Sequence, residues 1–118
     1  MPASSLEVRR LSLPTVDIFL KDRNGLTVNV TGYAFRFSAM DDQVIPFREL
    51  FEIIPTIVAA AAGQIRVAFT AAQTGFLPGS YRAELRWRTD GVAPTSSTPP
   101  HDTIEYSFRI VEAAEALP

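Results

Sequence analysis

Apolar and polar residues alternate with a two-residue period along most of this chain. Successive side chains of a β-strand point to opposite faces, so a strand with one buried face carries this pattern. Residues 81–89 show it best, with Tyr81, Ala83, Leu85 and Trp87 on one side and Arg82, Glu84, Arg86 and Arg88 on the other. A helix would spread those arginines around its circumference. Tyr33, Phe35 and Phe37 alternate in the same way with Ala34, Arg36 and Ser38, and Ile65, Val67 and Phe69 with Arg66 and Ala68. Ile104, Tyr106, Phe108 and Ile110 alternate with Glu105, Ser107, Arg109 and Val111. Near the start, Val16, Ile18 and Leu20 alternate with Asp17, Phe19 and Lys21, while Leu6, Val8 and Leu13 mark a weaker first strand, bent near Leu11 or Pro14.

Turn chemistry punctuates these runs. Asp22-Arg23-Asn24-Gly25 predicts a tight turn, because Asn and Gly tolerate positive φ. Gly32 ahead of a strand predicts a bulge. Leu77-Pro78-Gly79-Ser80 sets Pro and Gly side by side, as a type II turn prefers. Asp41-Asp42 reads as a hairpin tip, and residues 90–103, rich in Pro, Ser and Thr, as a long exposed loop between the last two strands. Residues 47–62 are ambiguous: Ile53, Ile54, Ile57 and Val58 fit either helix or strand. Pro55 would break an interior helix, which favours a short edge strand followed by the alanine run at 59–62. Residues 71–76 suggest one helical turn. The sum is an all-β antiparallel sandwich of about seven to eight strands.

The length of 118 residues suits one such domain, which needs about 100. Its core is expected over residues 6–111, with 1–5 and 112–118 as tails that are flexible or ordered on assembly. A net charge of −2 opposes tight nucleic-acid binding, which relies on many cations against phosphates. The absence of cysteine removes disulfides, thiolate metal sites and cysteine catalysis. The first five residues lack the basic-then-apolar order of a signal peptide. The longest apolar stretch, 53–62, is interrupted by Pro55 and Thr56 and falls short of the about 20 residues a membrane helix requires.

An ordered set of motifs remains. Residues 17–25 (DIFLKDRNG) read as a strand into a turn, and 30–37 (VTGYAFRF) as the opening of the next strand. GQIRV at 63–67 and TAAQTGFLPGSY at 70–81 follow, then the charged strand and Asp90-Gly91. This order resembles the immunoglobulin-like N-terminal domain of bacteriophage baseplate upper proteins and related tail or fibre-attachment domains, over residues 16–111. The resemblance implies a structural role in a virion, with other virion proteins as partners and homo-oligomers, trimeric by family analogy. It implies no enzyme activity and no catalytic residue or cofactor. A head decoration (cement) protein, and a carbohydrate- or peptide-binding module using the 90–103 loop, stand as alternatives.

Individual residues add less. His101, the single histidine, has Ser96, Ser97 and Asp102 nearby in sequence, but a Ser-His-Asp relay needs a preorganised scaffold that a loop does not provide. One histidine and no cysteine cannot make a zinc site. Asp22, Asn24, Asp41, Asp42, Asp90 and Asp102 offer oxygens for calcium, yet lack the spacing of an EF-hand loop; no metal is expected. Glu49 and Glu52 show no sign of the convergence a glycosidase pair requires. Asn29-Val30-Thr31 matches a glycosylation acceptor, meaningful only in an exported chain. Arg36, Arg82, Arg86 and Arg88 are the candidate partner-contact residues. They share an outward sheet face, and guanidinium forks recognise carboxylates well.

Overall fold

The computed structural model describes residues 4–10, 14–41, 48–76, 79–95 and 97–111. Among the described residues eight strands form two sheets. They are β1 (Ser4–Arg9), β2 (Thr15–Phe19), β3 (Ala34–Asp41), β4 (Arg48–Ile53), β5 (Thr56–Ala59), β6 (Gln64–Ala68), β7 (Gly79–Arg88) and β8 (Asp102–Val111). A five-stranded sheet has the order β1-β8-β7-β3-β4, and a three-stranded sheet the order β2-β6-β5. The all-β sandwich read from the period-two pattern is therefore present.

The alternation works as a sorting device. In β7, Ala83, Leu85 and Trp87 are buried while Arg82, Glu84, Arg86 and Arg88 face out. The inner faces bring together Phe37, Phe69, Phe108, Ile65, Leu85 and Ile110. Phe69 stacks on Phe108 at 5.8 Å between ring centroids and meets Phe37 edge-on at 5.9 Å, the offset and edge-to-face geometries that ring quadrupoles favour. Burial pushes the Tyr106 hydroxyl up to about 12.

Several local readings change. The chain start is not a loose leader up to residue 5: Ser4 and Ser5 already pair with Tyr106 and Ser107 of β8. Backbone pairing needs no apolar side chain, so two serines gave no sign of it. The β1–β8 pair is parallel, whereas every other strand pair is antiparallel. No hairpin joins the first and last strands, so nothing dictates opposite directions. β1 ends at Arg9, and Leu11 and Leu13 lie outside the described residues, as do Asp42, the Leu77-Pro78 step, residues 1–3 and residues 112–118. Gly32 sits in a tight turn at φ +80°, closed by the Tyr33 amide on the Val30 carbonyl, and not in a bulge. The register irregularities fall instead at Ala39/Met40 and Ile57/Ala59.

The ambiguous segment, described from residue 48, holds two strands in different sheets and ends in a 3-10 turn at Ala60–Ala62. β4 ends the large sheet, Pro55 is buried, and β5 begins the small sheet after it. Proline has no amide to donate to a ladder, so it suits the corner where a strand changes sheets. After β6 a single helical turn, α1 (Ala71–Thr74), is held by a capping box between Thr70 and Gln73. The described residues of the 89–101 loop are mostly exposed, as its composition suggests, but the loop is pinned at one point. Pro94 is fully buried, and the Thr95 hydroxyl accepts the amides of Ser97 and Thr98.

Candidate functional site

The β3–β7 register places Arg36 directly opposite Arg86 on the outer face of the large sheet, with Arg82 and Arg88 in the same row system along β7. Like charges facing across a ladder repel. Glu52 of β4 answers both: its Oε1 lies 2.9 Å from Arg36 Nη1 and its Oε2 3.5 Å from Arg86 Nη2. Arg86 also donates to Ser38 Oγ at 2.7 Å. Arg82 pairs with Glu105 and approaches Glu84 at 4.0 Å. Arg88 grips Asp90 through Nε and Nη2 and reaches over to the Pro99 carbonyl at 2.7 Å. The four arginines are thus brought onto one face, and each already holds a carboxylate of the same chain. Only a fifth to a third of each side chain is exposed.

These pairs leave marks on titration. The Arg88 fork and the Val92 amide hold Asp90 down to about 2. Arg66 on the outer face of the small sheet likewise lowers Asp17, by donating to both of its oxygens. Glu49 is raised, first by partial burial and then by repulsion from Glu52. Glu49 and Glu52 lie on an open sheet face, with Glu52 held by two arginines, and not in a cleft between a donor and a water.

His101 is exposed but engaged. Its Nδ1 accepts the Thr89 amide at 3.0 Å, and its own amide donates to the Trp87 carbonyl at 2.8 Å. The ring therefore closes the base of the loop, and its partner is Thr89 where a relay would need a serine and a carboxylate. Asp22 Oδ1 accepts the amides of Asn24 and Leu26, which spends it on its own turn. Asn29 Oδ1 is taken by the amide and hydroxyl of Thr31. Among the described residues no group of three or more His, Cys, Asp or Glu is arranged to hold a metal ion. No helix among the described residues is long and apolar enough to cross a membrane.

Two further surfaces emerge from the fold. Phe19 and Val58 are 52% and 44% exposed, and Ile54 at the sheet-changing corner is 71% exposed. They sit on or beside the small sheet, whose two outer strands β2 and β5 each pair on one side only. The β2 alternation already placed Phe19 on the outward side with Asp17 and Lys21. The second is a cavity of about 660 Å³ at one end of the sandwich, between the 21–27 hairpin and the start of β8. Its polar residues include Lys21 and Arg23 from the stretch that follows β2, and His101 and Asp102 from the 90–103 loop considered above for a binding module.

Comparison with known proteins gives a match at the level of structure. The solved N-terminal domain of phage TP901-1 ORF48 superposes with a TM-score of 0.58 at 14% identity, covering 97% of this chain and 91% of that one. The fold is shared with a phage domain. The overlap runs nearly end to end in both chains, so it includes the five- and three-stranded layers and not one hairpin alone. No protein-family profile matches the chain, and no curated protein does at the level of sequence.

Proposed function

We propose that the chain is a structural component of a bacteriophage virion, an immunoglobulin-like baseplate or tail domain that attaches neighbouring subunits by protein–protein contact. The observation that carries this reading is the nearly full-length fold similarity to a phage domain. The motif order over residues 16–111 points the same way, with the whole chain acting as one sandwich unit. The geometry is compatible: the described surface offers unpaired strand edges and exposed apolar side chains, features that serve adhesion between subunits. The carboxylates Glu52, Glu105 and Asp90 already occupy the arginines, so an acidic partner at Arg36, Arg82, Arg86 and Arg88 would have to exchange for them.

The test is to raise antibody against the chain, purify particles from an infected culture, and locate the label by electron microscopy. Label at the tail tip supports the reading. Label on the capsid replaces it with a cement role, and absence from particles ends it. Self-association is read separately, by light-scattering mass of the isolated chain. A trimer supports the family analogy, and a monomer at all concentrations removes it.

A further inference from the structure

The cavity at the end of the sandwich has the make-up of a ligand site. Its floor is apolar, formed by Leu20, Tyr33, Trp87 and Ile104. Its rim is polar, with Lys21, Arg23, His101 and Asp102 around the mouth. Its volume of about 660 Å³ lies within the range of about 300–1,000 Å³ typical of small-molecule sites. Lys21 and Arg23 make no ion pair or hydrogen bond with any described residue. In contrast, Arg36, Arg66, Arg86 and Arg88 each hold a carboxylate. The rim cations are therefore uncommitted donors.

The acceptor side is equally open. Asp102 spends Oδ1 on the Thr103 amide at 2.8 Å, which leaves its second oxygen. His101 accepts from the Thr89 amide through Nδ1, so the neutral ring carries its proton on Nε2 and presents a donor. The rim thus offers charged donors, a neutral donor and a carboxylate acceptor above a floor containing two aromatic residues. We infer that this cavity binds a pyranose ring of a saccharide, its C–H face against Tyr33 and Trp87 and its hydroxyls against Arg23, His101 and Asp102. Sugar hydroxyls both donate and accept, so they need this mixed rim, and the ring's apolar face needs the floor. A simple anion would use the cations alone, would gain nothing from the floor and would be repelled by Asp102. An extended peptide would instead form backbone bonds at a strand edge, such as the start of β8 ahead of Tyr106 that β1 leaves unpaired among the described residues, and that mode needs neither the aromatic floor nor the charged rim. The ligand site thus uses the end of the 89–101 loop together with the 21–27 hairpin. It does not rest on the virion reading.

The chain carries its own reporter, because Trp87 is its single tryptophan and lies in the floor. The whole chain is titrated with methyl glycosides of glucose, galactose, rhamnose and N-acetylglucosamine, each to its solubility limit. Sodium phosphate and a capped tetrapeptide serve as controls. Trp87 emission is followed together with backbone amide shifts of residues 20–33 and 101–104. At least one glycoside gives a saturable change. Arg23→Ala and Asp102→Ala, both exposed and outside the core, each weaken it about tenfold, the cost of one or two hydrogen bonds, with an unchanged circular-dichroism spectrum. The proposal is overturned if no glycoside saturates, if phosphate or the peptide alone reproduces the change, or if the response survives intact in the double variant.

Discussion

Gly63 shows how one residue can govern a junction. It adopts φ +68°, and a Cβ there would lie 2.7 Å from the carbonyl oxygens of both Leu20 and Val28. Its own carbonyl accepts the Leu20 amide at 2.8 Å. Gly63→Ala combines left-handed strain of about 1–2 kcal/mol with a clash against backbone that cannot rotate away. A drop in the thermal midpoint well beyond that of an exposed alanine substitution is the expected result, and an unchanged melt would refute the close approach. Phe108 is fully buried among Phe69, Phe51 and Tyr81. Phe108→Ala should lose about 3–5 kcal/mol in a urea titration. Asp90 gives the pH prediction. Its carboxyl ordinarily titrates near 3.8 and is held to about 2 in the folded chain. The Arg88 contact therefore contributes stability above the unfolded value, and that contribution fades as pH falls through 2. Carbon-detected NMR titration should find Asp90 ionised at pH 3, and Arg88→Gln should return it towards its ordinary value. The outward direction of the arginines was readable from alternation. Their partners were not, because Glu52 stands 16 positions from Arg36 and 34 from Arg86, distances that only the strand register closes.

At the scale of elements, the strongly alternating strands β3, β6, β7 and β8 were legible, as were the capped turn at 71–74 and the Asp22 turn. What stayed hidden was pairing. Leu6 and Val8 mark a strand in SSLEVR, but nothing there announces that it is an edge strand running parallel to the last one, since the ladder is made of backbone. Nor could local residues reveal that the chain changes sheets at Pro55. The same limit applied to the cavity: the 90–103 loop was a candidate binding element, but that it meets the 21–27 hairpin over Tyr33 and Trp87 shows only in the fold. β1 covers one edge of β8. A chain beginning at residue 10 should therefore melt at lower temperature and scatter more light on standing, as an uncovered strand edge recruits other chains. Equal stability and clarity would mean that β1 adds nothing.

Across the whole molecule, contacts join strands far apart in sequence: β1 to β8, β2 to β6, β3 to β7. Loop closure must precede such contacts, so refolding in milliseconds to seconds is expected, slower than for helical bundles of this size. The parallel pairing of the first and last strands has a mechanical consequence. Tension applied at the start of β1 and the end of β8 draws two like-directed neighbours in opposite senses. All six register pairs from Ser4 to Arg9 are then sheared together. Tension applied at Gly79 and Ile110, which face each other at one end of the antiparallel β7–β8 ladder, peels that ladder one pair at a time. In a single-molecule stretching experiment the first geometry should rupture at clearly higher force than the second. A protein loaded through its two ends would then resist as a clamp, with the rupture rate set by the barrier to sliding that one short strand.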